Sequence, residues 1–292
     1  MKKHKKYSIS VIIPTYRDWK RLKLCVDALS MQNYPSSEFE VIIVNNDPFD
    51  FPPMLGLGPN FKIIAESRIG SYAARNAGLA VAKGEIIGFT DSDCIPDSNW
   101  INNAISHFKS QKNLDRVTGR VNIFRSQNSS WVAWKLESIT AFNQKYNAKN
   151  GVAVTANLFV RRKVFDQIGV FDESLFSGGD FAWNRSATEQ GVSLLYSENV
   201  VVNHPARASM KNVVKKSLRV VGGGYVQSRQ KRTTVSFALK QLVPPIRYGM
   251  LLIKDGKPIT SVLFACSVYW VIKVLMFLEI LRLSMGGTPL RQ

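Results

Sequence analysis

The sequence predicts an α/β protein built on a doubly wound, largely parallel sheet, followed by a helical C-terminal extension. Three observations carry that reading. Short β-branched runs alternate with segments of helical period through residue 110. Polar clusters stand at the ends of these runs, which is where doubly wound sheets bind ligands. A chain of 292 residues that is 45% apolar and 21% charged is long enough and apolar enough to bury a substantial core.

The elements follow in order. Residues 9–13 are a β-branched run and form the first strand. The run is too short for a secretory leader, and Pro14, Arg17 and Asp18 end it at once. Residues 18–31 open on a helix-start signal and repeat apolar side chains at Leu22, Val26 and Leu29, a helix. Residues 41–44 form the second strand, and residues 62–65, beyond an Asp-, Pro- and Gly-rich loop, the third. Residues 71–81 are helical, and residues 85–89 form a fourth strand that runs into Thr90-Asp91-Ser92-Asp93. A helix over 100–109, a strand over 117–124, a helix over 131–146 and a strand over 153–160 come next. A short helix spans 161–168, Gly178-Gly179-Asp180 opens another through residue 189, and 200–203 is a short last strand before His204. Beyond it the chain reads as helical, with breaks expected at Gly222-Gly223-Gly224 and Pro244-Pro245.

The formal net charge is +18, with 39 Lys and Arg against 21 Asp and Glu. It is unevenly placed. Residues 1–6 carry four lysines and no acid, and residues 203–258 carry twelve bases against Asp255 alone. Residues 7–202 hold 20 bases and 19 acids. A near-neutral body speaks against a nucleic-acid-binding protein, which needs basic residues and exposed aromatics across a folded surface. Basic ends suit an anionic membrane surface when apolar sequence lies beside them. Residues 261–272 supply it, uncharged and rich in Leu, Val, Phe, Tyr and Trp. Twelve residues are short for a span and Lys273 interrupts the run, so an interfacial or re-entrant helix is favoured over a crossing one. Three cysteines without a Cys-x-x-Cys pair argue against a disulfide scaffold or zinc ribbon and fit a reducing compartment.

Asp91-Ser92-Asp93 is the first candidate for chemistry. Two acids one residue apart at a strand tip suit a hard divalent cation whose remaining shell is filled by diphosphate oxygens. A helix cap before Trp100 is the plain alternative. The context adds to the first reading. Ser8 to Tyr16 (SISVIIPTY), Glu40 to Asp47 (EVIIVNND), Ala74-Arg75-Asn76-Ala77-Gly78 and Lys83 to Asp93 (KGEIIGFTDSD) occur in that order. Together they closely resemble the nucleotide-sugar-binding half of family 2 glycosyltransferases, inverting enzymes of the GT-A fold. Thr155 to Arg162, Gly169 to Glu173 and Gly178-Gly179-Asp180-Phe181 resemble that family's acceptor region.

The resemblance covers about residues 7–206 and implies a GT-A domain over 1–206. Its nucleotide-sugar half would be 7–110 and its acceptor half 111–206, with 207–292 as a basic, membrane-associating helical region. Thr15, Tyr16, Asn45, Asn46, Asp47 and Arg75 would line the nucleotide pocket, and Asp91 would face the ribose or the metal. Asp93, assisted by His204, would hold Mg²⁺ or Mn²⁺. Asp180 would be the general base, and Asn157, Gly179 and Trp183 would meet the acceptor. The implied reaction moves one sugar from a nucleotide-diphosphate sugar to a lipid-linked or glycan acceptor at the cytoplasmic face of a membrane, in cell-envelope or exopolysaccharide synthesis.

Each residue keeps a structural alternative. Asp180 suits an N-cap, His204 suits packing under Pro205, Arg75 suits a surface pair with Glu66 or Asp47, and Trp183 suits the core. Two departures from the family pattern stand out: Asn45 replaces an Asp that reads the nucleobase edge, and Gly179 replaces a Glu before the catalytic acid. The chain also lacks the Gln-x-x-Arg-Trp motif of processive synthases, which argues for one sugar per encounter. The competing enzyme class is a haloacid-dehalogenase-type phosphatase, whose Asp-x-Asp follows the first strand of its sheet, whereas Asp91 follows the fourth. A nicotinamide-binding enzyme would need a Gly-x-Gly-x-x-Gly after the first strand, where this chain has Pro14 to Trp19.

Overall fold

The computed structural model describes residues 8–127, 129–230 and 233–290. The chain divides into two compact units, the first over residues 1–122, 142–175 and 179–204, the second over 123–141, 176–178 and 205–292.

The first unit is built on β1 (Ile9–Thr15), α1 (Trp19–Ser30), β2 (Phe39–Asn45), β3 (Phe61–Ala65), α2 (Ser71–Val81), β4 (Ile86–Phe89), β5 (Ile95–Pro96) and α3 (Trp100–Ser110). Strand β6 (Arg116–Phe124) follows and runs to the edge of the unit. Helix α4 (Trp131–Thr140) belongs to the second unit; α5 (Gln144–Lys149), β7 (Leu158–Arg161), α6 (Arg162–Ile168), α7 (Gly179–Glu189) and most of β8 (Leu194–Pro205) complete the first. The eight strands form one sheet in the order β3-β2-β1-β4-β7-β6-β8-β5. The half from β3 to β4 is parallel, as expected. From β7 onward the paired strands run antiparallel, so the sheet is mixed.

Alternation along the central strands explains the layers. Ile9, Val11 and Ile13 of β1 and Val41 and Ile43 of β2 face one core with α1 and α3. Ile12, Ile42 and Val44 face the other, with α2, α6 and α7. Both faces are covered, the condition for a parallel sheet with continuous apolar strands. Gly78 lets α2 lie close to the sheet, because an ideal Cβ there would stand 2.5 Å from Ile12 Cγ2 and 3.1 Å from Val44 Cγ2.

The second unit is helical: α4, then α8 (Met210–Gln230), α9 (Thr234–Leu242), α10 (Ile246–Lys254) and α11 (Ile259–Ser284) around a shared apolar cluster. The three glycines expected to break a helix lie inside α8 instead. They serve packing: a Cβ at Gly223 would stand 3.1 Å from Ser177 Cβ, and one at Gly224 would stand 2.6 Å from the Phe237 ring. Pro244-Pro245 does separate α9 from α10. The single helix expected over 131–146 is two, interrupted at Phe142, whose φ of 50° is left-handed. Of the strand expected over 153–160, residues 158–160 lie in β7, and Thr155–Asn157 before them is a 3₁₀ turn.

Helix α11 has 26 residues, about 39 Å at 1.5 Å per residue, so by length and composition it is able to cross a membrane. Lys273 is not an interruption. Its Nζ donates to Val243 O at 2.6 Å, and Trp270 Nε1 donates to Leu242 O at 3.1 Å, so both cap the end of α9.

Candidate active site

Strand β1 lies between β2 and β4, with Thr15 opposite Asn45 in the register. Just past β4, Thr90 is still held to β1 through its N–H on Ile12 O, and the chain then enters Asp91-Ser92-Asp93. Asp93 Oδ2 lies 3.2 Å from Arg21 Nη1 and 3.4 Å from His204 Nε2. His204 comes from the far end of β8, is buried, and rests 4.8 Å from the Phe142 ring, centroid to centroid. Arg21, in the first turn of α1, also donates Nε to Asp18 Oδ1 at 2.8 Å, and Asp18 Oδ2 accepts from Ser92 Oγ at 3.2 Å. The entry to α1 is thereby tied to the acidic tripeptide.

Asp91 is held from α2. Arg75 is 4% exposed and donates Nη2 to Asp91 Oδ1 and Nη1 to Ser71 O, which excludes a surface pair with Glu66 or Asp47. One turn earlier on the same helix, the Tyr72 hydroxyl donates to Asp180 Oδ1 at 3.2 Å. Asp180 sits in the first turn of α7, and Phe181 N also donates to its Oδ1 at 3.0 Å. Burial pushes the Asp180 carboxyl above its ordinary value, opposed by the charge of Arg75 and by the two hydrogen bonds. Arg75 thus couples electrostatically to both Asp91 and Asp180.

The donor set was tested against a divalent cation. Ligand atoms of Asp91, Asp93 and Cys94 lie within 4.8 Å of one another. Cys94 is a poor member of that group. Burial raises its thiol well above the ordinary value, so it stays protonated, and hard cations prefer oxygen. His204 Nε2, 3.4 Å from Asp93 Oδ2, is a nitrogen donor beside one of the two acids. The two carboxylates are the ligand type that Mn²⁺ or Mg²⁺ takes.

The nucleotide-pocket candidates divide. Thr15 is buried and its Oγ1 has no hydrogen-bond partner in the structure; the same is true of Arg75 Nε. Tyr16 is exposed. Asp47 accepts from Arg17 Nε at 2.7 Å and from Phe49 N, and the Arg17 bond is the chief reason its carboxyl lies below its ordinary value. Asn45 donates to Asp50 O at 2.9 Å and accepts from Asp47 N at 3.1 Å, so it shapes the 45–50 loop in a way that a carboxylate, lacking a donor, does not. Asn46 is fully engaged: it donates to Glu66 O and Arg68 O and accepts from Gly70 N, where φ is 131°. It clamps the entry to α2 rather than offering groups to a ligand.

Two acceptor candidates belong to the core. Asn157 is fully buried, accepts from Trp100 Nε1 at 2.9 Å and donates to Arg120 O and Val200 O. Trp183 stacks on Phe165 at 4.8 Å and donates Nε1 to Gly169 O. The polar groups of both already have partners inside the protein. Gly179 is buried against the Tyr72 ring. Sequence reasoning missed Tyr72 and Arg21. Helical spacing was the available signal, since Tyr72 precedes Arg75 by three residues and Arg21 follows Asp18 by three.

Comparison with known proteins identifies the family and the fold. A family model described as Glycosyl transferase family 2 matches residues 10–169. Glycosyltransferase AglE of Haloferax volcanii is 34% identical over 273 residues, 88% of each chain. An enzyme of Methanococcus voltae named as a dolichyl N-acetyl-α-D-glucosaminyl phosphate 3-β-D-2,3-diacetamido-2,3-dideoxy-β-D-glucuronosyltransferase is 24% identical and covers 72% of this chain and 70% of its own. Among solved structures, the mannosyltransferase PcManGT from Pyrobaculum calidifontis, in complex with GDP-Man and Mn²⁺, has a TM-score of 0.61 at 15% identity, covering 94% of this chain and 87% of its own. That likeness shows the shared GT-A fold.

Proposed function

The chain belongs to glycosyl transferase family 2, and we propose that it transfers a single sugar, with inversion, from a nucleotide-diphosphate sugar to a hydroxyl of a lipid-linked acceptor. The observation that carries the proposal is one connected set of side chains: Asp93 beside His204, Asp91 on Arg75, and Tyr72 on Asp180.

In this reading Thr15, Tyr16, Asp47 and Arg75 line the nucleotide, and Thr15 Oγ1 and Arg75 Nε gain from it the partners they lack within the chain. Asp91, Asp93 and His204 would hold Mg²⁺ or Mn²⁺, whose charge would offset that of the departing diphosphate. Asp180 takes the proton of the acceptor hydroxyl. The acceptor oxygen forms its bond to the anomeric carbon as the bond from that carbon to the diphosphate oxygen breaks, and the electron pair leaves on the diphosphate. One displacement inverts the configuration. Arg21 and Arg75 keep positive charge at the diphosphate throughout.

The lipid-linked acceptor is supported by the name of the Methanococcus voltae relative and by the second unit. Leu263, Val271 and Leu278 of α11 and Ile246 and Met250 of α10 are exposed apolar side chains that lipid would cover. Basic residues lie among them, including Arg247, Lys254 and Lys257. That combination suits the anionic cytoplasmic leaflet, and it leaves residues 207–292 as the membrane-associating region beside a transferase domain over 1–206.

A thermal-shift screen of nucleotide diphosphates and nucleotide sugars, with and without Mn²⁺, tests the class and identifies the donor. A selective, Mn²⁺-dependent rise in Tm is expected. Proton NMR of the product should show the anomeric configuration opposite to that of the donor. Indifference to every nucleotide, or a product of retained configuration, overturns the reading.

A further inference from the structure

We infer that Tyr72 is a positioning residue for Asp180, its ring filling the space of a side chain at 179 and its hydroxyl fixing one carboxylate oxygen so that the other is left for the acceptor proton. The inference rests on reading Asp180 as the general base.

Three observations support it. An ideal Cβ at Gly179 would stand 2.7, 2.8 and 3.0 Å from three atoms of the Tyr72 ring, so this ring and any side chain at 179 exclude each other. The acid that the family resemblance leads one to expect before Asp180 is absent, and a tyrosine stands in its space. Second, both hydrogen bonds to the carboxylate, from Tyr72 and from Phe181 N, go to Oδ1; among the described residues none reaches Oδ2. Third, Tyr72 is itself held. It is 6% exposed, packs against Phe171 at 5.8 Å between ring centroids, and lies 5.7 Å from the Arg75 guanidinium. A ring so confined presents its hydroxyl in one direction.

The charged and titratable groups that act on Asp180 are Tyr72 and Arg75 from α2 and Asp91 from the turn after β4. Arg75 and the Tyr72 hydroxyl favour the carboxylate, while burial and Asp91 favour the acid. Removing the hydroxyl tips that balance toward the protonated form, in which Asp180 accepts no proton.

Tyr72→Phe keeps the ring and deletes only the hydroxyl. Two readouts on the full chain test it. Carbon-13 NMR of labelled aspartate carboxyls, with Asp180→Asn identifying the resonance, should show Asp180 titrating about 0.5–1 pH unit higher in Tyr72→Phe. Release of nucleoside diphosphate from GDP-mannose, UDP-glucose and UDP-N-acetylglucosamine, with water as acceptor, should fall about tenfold in kcat while KM changes less than twofold. Gly179→Ala, which displaces the ring, should reproduce both effects, and Tyr72→Phe added to Asp180→Asn should cost nothing further. An unmoved Asp180 titration in Tyr72→Phe means that Tyr72 only packs, and the inference fails. Wild-type turnover in Asp180→Asn instead removes the base reading on which it rests.

Discussion

His204 Nε2 stands 3.4 Å from Asp93 Oδ2, although one residue ends the longest strand of the sheet and the other follows the short strand β4. On the proposed reading this buried imidazole and carboxylate would hold a divalent cation together with Asp91. Asp93→Ala is therefore expected to abolish transfer and Mn²⁺-supported binding of nucleoside diphosphate, with Tm little changed. His204→Ala should weaken Mn²⁺-supported binding by about tenfold or more. Calorimetry with and without Mn²⁺ reads both, and equal affinities for wild type and Asp93→Ala would remove the metal assignment.

Arg75 bridges two duties, holding Asp91 and neutralising the surroundings of Asp180. Lysine keeps the charge but loses the planar fork, so it cannot hold Ser71 O and Asp91 together. Arg75→Lys should lower affinity for nucleoside diphosphate by about tenfold even in EDTA, since its contribution is direct. Unchanged binding in EDTA would make Arg75 purely structural.

Burial of Asp180 sets a trade between stability and rate. Its folded pKa lies above the unfolded one, so the group's contribution to stability is full below the unfolded value and is lost as pH rises through the raised one. Asp180→Asn should therefore raise Tm at neutral pH, with the gain disappearing in acid. The same substitution should lower kcat by about two to four orders of magnitude. As the proposed base, Asp180 must be ionised, so wild-type kcat should rise with pH through the raised value. A variant that is both inactive and less stable at neutral pH would point to lost N-terminal packing of α7 instead.

How much of this was legible follows from the physics of each segment. The parallel half was readable because buried strands announce themselves as β-branched runs and because α2 is bounded as its period suggests, Ser71–Val81. The Ala74-Arg75-Asn76-Ala77-Gly78 motif proved only partly chemical. Asn76 donates to Phe171 O and Glu173 and accepts from Phe171 N, Gly78 permits close packing, and Arg75 pairs with Asp91. The antiparallel half was harder, because β8 takes its partners from distant strands and its twelve residues do not alternate cleanly. Helix breaks read from Gly222 to Gly224 failed because glycine signals close approach as well as chain reversal. Of the acids and bases expected at strand ends, Asp93 and His204 lie 3.4 Å apart and Asp91 is paired with Arg75. Asn157 and Trp183 lie in buried networks, a place that sequence does not distinguish from a sugar site because an amide or an indole serves either.

Asn157 carries a stability prediction for that reason. Asn157→Ala leaves Trp100 Nε1 and Val200 O without their buried partner, at a cost of about 2–4 kcal/mol. Urea unfolding should show that loss, while the purified, folded variant binds nucleoside diphosphate as wild type does. Unchanged stability, with transfer lost at full affinity for nucleoside diphosphate, would return Asn157 to the acceptor site.

Membrane association calls for surface substitutions rather than truncation. Val262, Ala265, Ile272, Met276, Ile280 and Leu283 of α11 lie in the core of the second unit, so deleting residues 259–292 would unfold it and report nothing about lipid. Leu263, Val271 and Leu278 face outward. Each such side chain moved from water to hydrocarbon is worth about 1.5–3 kcal/mol. Changing all three to Ser should lower partitioning onto vesicles by at least about a hundredfold without lowering Tm. The basic residues contribute at most about 1 kcal/mol each near an anionic surface and are screened by salt. Flotation with phosphatidylglycerol-containing vesicles therefore separates the two forces. Wild type should float at low salt and partly at high salt. The triple variant should float only at low salt. Equal flotation of the two proteins at high salt would mean that this face of α11 does not enter lipid.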